Sequence, residues 1–144
     1  SDDLIPVMAK VLCGLGIRHA MVVHGEDGFD EISISAPTKV AEIKDGGIFE
    51  YTITPEQFGL PMAEKEEVVG GSPEENALIT QGILAGTIRD AKRNIVLLNA
   101  GCALYVVGQA GSIGDGVALA AEMIDSGAAL AKLEELKQFT NALA

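Results

Sequence analysis

The chain has 144 residues, 48% of them apolar and 22% charged, with a mean hydropathy of +0.28. That length suits one domain, and the composition excludes intrinsic disorder, which needs low hydrophobicity and high charge. Ten basic residues against 21 acidic ones leave a net charge of −11, which argues against nucleic acid or an anionic membrane as partner, since both require Lys and Arg to neutralise phosphate.

The first predicted element is a helix, in which Leu4, Val7, Met8, Val11, Leu12 and Leu15 recur at helical spacing. Asp3 is expected to cap it and Gly16 to stop it. Ala20-Met21-Val22-Val23 is a short apolar run with β-branched residues. It reads as a strand of the parallel-sheet type, buried on both faces. Ile32 and Ile34 alternate with Ser33 and Ser35 up to Pro37, which predicts a short strand, and Val40–Ile43 predicts another. Asp45-Gly46-Gly47 signals a turn, after which Phe49, Tyr51 and Ile53 alternate with polar residues. The pair is expected to form an antiparallel hairpin.

Thr54-Pro55-Glu56-Gln57 opens a short turn or helix, and residues 59–71 read as loop. Ser72-Pro73-Glu74-Glu75 is a capping box ahead of a helix from Pro73 to about Ala85, ended by Gly86. Residues Ile95 to Val107 are apolar on nearly every side, so this helix belongs at the centre. The apolar run from Ile95 to Ala110 holds Asn99 and Gln109 and falls short of the ~20 residues that span a bilayer. Ser112 caps a further helix, and Leu130, Leu133, Leu136 and Phe139 predict a last one lying over the surface. The expected fold is a single α/β domain over residues 1–144, with a mixed, mostly parallel sheet, an antiparallel hairpin and a helical C-terminal third. Three or four strands are few for a doubly covered one, which points to a larger sheet of which this is a part.

The two cysteines, Cys13 and Cys102, lie in apolar helical patterns and read as free thiols in a reducing cytoplasm. The opening Ser1-Asp2-Asp3 lacks the basic n-region of a secretory signal and, without an initiator Met, reads as a trimmed fragment.

Glu26, Asp27, Asp30 and Glu31 lie within six residues directly after the strand at 20–23. In open α/β sheets, ligands bind beyond the carboxyl ends of strands. Asp30 and Glu31 can present adjacent carboxylates to Mg²⁺, which takes one or two protein carboxylates, keeps waters and bridges to phosphate. Such an ion would let an acidic chain hold a polyphosphate. A solvated acidic loop is the plainer alternative. Gly25 suits close backbone approach. His24 has no Ser, Cys or Lys beside it for a nucleophile–base pair and reads as structural; His19 carries no signal. Arg89, Lys92 and Arg93 cluster at a helix start and read as solvated residues between helices. No zinc spacing exists.

Several blocks belong together. They are Val22-Val23-His24-Gly25, Gly28-Phe29-Asp30-Glu31-Ile32-Ser33, Pro37-Thr38, Thr54-Pro55-Glu56-Gln57-Phe58-Gly59-Leu60, Gly70-Gly71, Glu75-Asn76-Ala77, Val96-Leu97-Leu98-Asn99-Ala100, Ala103-Leu104-Tyr105, Gly116-Val117, Ala120 and Ile124-Asp125-Ser126-Gly127. In this order they resemble the C-terminal half of the anthranilate phosphoribosyltransferase family. The resemblance implies a partial phosphoribosyltransferase/nucleoside phosphorylase-like domain. In that family a helical domain precedes the α/β domain. The enzyme, a glycosyltransferase, joins anthranilate to 5-phosphoribosyl 1-diphosphate and releases diphosphate in tryptophan biosynthesis. The family's matching Asp-Glu pair binds Mg²⁺, so the resemblance makes Asp30 and Glu31 the expected metal ligands and Mg²⁺ the expected cofactor. Electrostatic stabilisation of the departing diphosphate then outweighs acid–base catalysis, which agrees with the lack of a nucleophilic triad.

The family's Gly-Thr-Gly-Gly-Asp diphosphate loop does not occur in this sequence. The chain is therefore expected to be a C-terminal fragment of a longer two-domain enzyme, inactive alone. It is also expected to self-associate through the exposed sheet edge at residues 20–23. The alternatives are a non-enzymatic metal- or phosphate-binding module and a fragment of a related nucleoside phosphorylase, whose own phosphate and base motifs are not seen.

Overall fold

The structure is a computed structural model and describes residues 2–142. A 3₁₀ turn, Asp2–Leu4, leads into helix α1, Ile5–Gly14. Pro6 lies in the first turn, where a missing N–H removes no helical bond, and Gly16 (φ +82°) turns the chain away at the other end. Asp3 does not cap the helix. Leu4 holds the N-cap position without a side-chain bond, because Asp3 is taken up in the 3₁₀ turn.

Three strands follow, β1 at His19–Gly25, β2 at Thr38–Lys44 and β3 at Gly47–Ile53. They pair in the order β1-β2-β3, antiparallel throughout. This corrects the expectation of a mostly parallel sheet. A parallel pair needs a long crossover, usually a helix. Residues 26–37 instead fold back on themselves, with the Glu26 N–H donating to the Pro37 carbonyl at 2.9 Å. Between β2 and β3, Asp45 (φ 51°) and Gly46 (φ 79°) form the two-residue turn. Positive φ at both positions is the type I′ geometry that suits strand twist.

The strand expected at Ile32 and Ile34 does not form. Both side chains are buried, at 4% and 0% exposure, but their segment is irregular. Its backbone groups find side-chain partners rather than a neighbouring strand: Asn99 for Ile32 and the Thr38 hydroxyl for the Ser33 N–H.

The chain then runs through 3₁₀ turns at Pro55–Phe58 and Lys65–Val68 into helices α2 (Pro73–Leu84), α3 (Ala91–Val106), α4 (Ile113–Asp125) and α5 (Ala128–Asn141). Ser72, Asp90 and Ser112 each accept a backbone N–H at the start of α2, α3 and α4. Helix α3 is the central one, with Leu97, Leu98 and Cys102 buried. Helix α5 buries no residue, and Leu136 and Phe139 stay exposed.

The sheet has helices on both faces. Ala20, Val22, Ala41 and Ile43 pack with Ile5 and Ala9 of α1. Met21, Val23, Val40 and Ile53 join the larger core with Leu97, Leu98 and Ile124. This explains why β1 is apolar at consecutive positions. It is nevertheless an edge strand, and among its residues only Val22 and Gly25 are buried.

Candidate metal-binding loop

Strand β1 delivers its chain into the acidic loop at Gly25. A Cβ there would meet Asp27 Oδ1 at 2.6 Å and Ser33 Cβ at 3.0 Å, so the close approach expected of Gly25 is to its own loop. The Gly25 N–H donates to the Phe29 carbonyl at 3.0 Å, and Gly28 (φ +93°) makes the reversal that this bond requires.

Asp27 is the hub of this turn. The Ser33 hydroxyl donates to its Oδ2 at 2.6 Å, the Ser35 hydroxyl donates to the same oxygen, and the Phe29 N–H donates to Oδ1. Burial disfavours the charged carboxylate, but these donors outweigh it and hold Asp27 below the usual aspartate range. Lys65 closes the loop from outside. Its Nζ donates to the Asp27 carbonyl at 2.8 Å and stands 4.7 Å above the Phe29 ring.

Asp30 and Glu31 follow one another in this loop, and both are exposed. Partial desolvation, reinforced by the neighbouring Asp30 charge, raises the Glu31 carboxyl above its ordinary value. Among the described residues no group of three or more His, Cys, Asp or Glu converges as a metal cage. Two adjacent hard carboxylates suit Mg²⁺, which completes its octahedron with waters and phosphate oxygens rather than with an all-protein cage. The donor set therefore fits that ion. Asp30 also borders an open groove between α1 and β1, together with Leu4, Met8, Met21, Val23 and His24.

The other residues singled out in the sequence have structural partners. His24 lies 3.4 Å from Asp2, which also pairs with Lys39. Lys92 donates to the carbonyls of Glu67 and Val69, while Arg89 and Arg93 converge on Asp125 at 3.1 and 2.9 Å. Cys13 and Cys102 are free thiols. Burial pushes the Cys102 thiol up to about 12.

Two features carried no sequence signal. Glu42, 7% exposed, accepts hydrogen bonds from Tyr105 at 2.8 Å, from Tyr51 at 2.9 Å and from His19 at 2.9 Å. His19, uninformative in the sequence, thus belongs to a buried polar network. The second is Asn99 of α3, whose side chain binds both backbone groups of Ile32. It lies within a block that carries the resemblance, yet no local pattern announces its partner.

A profile described as "Glycosyl transferase family, a/b domain" matches residues 1–130. The chain belongs to this glycosyl transferase family. Within the family, it is 48% identical over 141 residues to an anthranilate phosphoribosyltransferase of Methanobrevibacter smithii, covering 98% of this chain and 42% of that protein. It is 52% identical over 134 residues to one from Haloarcula marismortui, covering 93% and 40%. The crystal structure of anthranilate phosphoribosyltransferase from Thermus thermophilus matches with a TM-score of 0.85 and 38% identity, covering 94% of this chain and 39% of that one. The Saccharomyces cerevisiae enzyme in complex with PRPP and Mg matches at TM-score 0.82 and 30% identity, covering 93% and 39%. The chain thus spans well under half the length of the relatives it matches. No helix among the described residues is long and apolar enough to cross a membrane.

Proposed function

We propose that this chain is the metal-bearing, C-terminal part of the α/β domain of an anthranilate phosphoribosyltransferase, a two-domain enzyme that transfers phosphoribosyl from 5-phosphoribosyl 1-diphosphate to anthranilate. The observation that carries this reading is the 48% identity with a relative of that name across nearly the whole chain. The acidic pair in the loop after β1 supports it. Asp30 and Glu31 are the metal ligands in this reading. Bound there, Mg²⁺ supplies the positive charge that stabilises the departing diphosphate. Asp27, Ser33 and Ser35 set the turn of the loop that carries the two carboxylates. The chain by itself lacks the family's diphosphate loop and is inactive in this reading. Two free thiols favour a cytoplasmic location.

The test is the double substitution Asp30→Asn with Glu31→Gln in the full-length enzyme. It is expected to lower Mg²⁺-dependent turnover at least about tenfold. An unchanged rate across a magnesium titration removes the metal role, and anthranilate turnover by the 144-residue chain alone overturns its inactivity.

The same reading assigns a contact surface. Among the described residues β1 is hydrogen-bonded on one side only, and Leu4, Val7, Met8, Val11 and Leu15 on or beside α1 are exposed. An open strand edge next to an apolar helix face favours association of the isolated chain with a second copy.

A further inference from the structure

The peptide directly after the acidic pair is held by a side-chain amide. Ile32 follows Glu31 directly. Its N–H donates to Asn99 Oδ1 at 3.0 Å, and its carbonyl accepts from Asn99 Nδ2 at 2.8 Å. The second hydrogen of Nδ2 goes to the Ile95 carbonyl at 3.0 Å, inside α3. The amide thereby offers Ile32 the donor and acceptor that a neighbouring strand would offer, and ties them to the central helix of the fold. The Ile32 side chain is itself 4% exposed within the core. Two residues on, the Ile34 carbonyl accepts from the Ala63 N–H at 3.0 Å. The loop that carries Asp30 and Glu31 is therefore anchored at the residue that follows Glu31.

We propose that Asn99 is a positioning residue for the Asp30–Glu31 cation site, holding the peptide after Glu31 so that both carboxylates face the ion together. This rests on the reading of Asp30 and Glu31 as metal ligands. A flexible pair of carboxylates must lose backbone freedom when it grips a cation, whereas an anchored pair has already lost it. Groups that orient metal ligands from behind typically change affinity ~10–100-fold when removed.

The probe is Mn²⁺ added to the ¹⁵N-labelled 144-residue chain, read as paramagnetic broadening of backbone amides. In the unsubstituted chain the broadening is expected to centre on residues 30–32, and the Ile32 amide to exchange slowly with solvent. Asn99→Leu removes all three bonds while keeping α3 apolar. It is expected to raise the Mn²⁺ midpoint about tenfold and to speed exchange at Ile32, with the α4 amides unmoved. Asn99→Asp keeps one acceptor but sets an oxygen against the Ile32 and Ile95 carbonyls, and decides the matter if the leucine variant fails to fold. An unchanged midpoint in a folded Asn99 variant, or rapid Ile32 exchange in the unsubstituted chain, overturns the positioning role while leaving the metal site standing. Broadening that persists in Asp30→Asn with Glu31→Gln overturns the metal reading itself, and the role of Asn99 with it.

Discussion

A Cβ placed on Gly116 would stand 2.2 Å from the carbonyl oxygen of Gly101, so α3 and α4 meet backbone to backbone. A Cβ on Gly101 would in turn lie 2.6 Å from the Val117 nitrogen. This contact seats α4 against the helix that carries Asn99. Gly116→Ala must force the two helices apart, and overpacking of this kind costs about 1–3 kcal/mol. Urea unfolding of the two chains measures it, and equal midpoints would show that the helices separate freely.

The acid limb of stability should carry the mark of Asp27. Its folded carboxyl titrates below its unfolded value because the Ser33 and Ser35 hydroxyls and the Phe29 N–H outweigh the effect of burial. A depressed carboxylate contributes stability that is complete above the unfolded value and is lost as pH falls through the folded one. Asp27→Asn is expected to lower stability near pH 7 by about 1–2 kcal/mol and to flatten its decline below about pH 4. Denaturation across a pH series checks both, and parallel acid limbs would refute the assignment.

Glu42 anchors a second network. Burial opposes its charge, but donation from Tyr105, His19 and Tyr51 prevails and holds it below the usual glutamate value. Its contribution likewise falls away as pH drops through the folded value. Glu42→Ala leaves these donors without their acceptor, for an expected loss of about 3 kcal/mol. Tyr105→Phe removes one bond of the set and should cost about 1 kcal/mol. Equal losses for the two would mean the network is not centred on Glu42. Burial, with donation to Glu42, also raises the Tyr51 phenol, so it should resist ionisation in an alkaline ultraviolet titration.

Association through β1 can be tested by charge. Met8 is 50% exposed and borders the groove between α1 and β1, so Met8→Lys places a charge beside β1 at little cost to the core. Sedimentation velocity is expected to show the original chain associating with concentration and the lysine variant shifted toward monomer. A concentration-independent monomer for the original chain contradicts the proposed surface.

Helical spacing over residues 4–15, the Asp45-Gly46 turn and the Ser72 and Ser112 caps were all legible in the amino-acid order, as was the acidic character of the loop at residues 26–31. Each depends on neighbours a few residues apart, where periodicity and φ sterics act. Strand direction was not legible. An apolar run such as Met21-Val22-Val23 shows that both faces of a strand are covered, and this holds whether α1 and α3 cover a parallel sheet or an antiparallel one. The alternation at Ile32 and Ile34 showed burial but not hydrogen bonding, because the partner of Ile32 is a side-chain amide 67 positions away. The Glu42 network has the same character, uniting residues from β1, β2, β3 and α3. Sequence alone determined which segments coil, turn and carry charge. The tertiary structure decided which polar groups meet, since a buried donor must find an acceptor wherever the packed core brings one within reach.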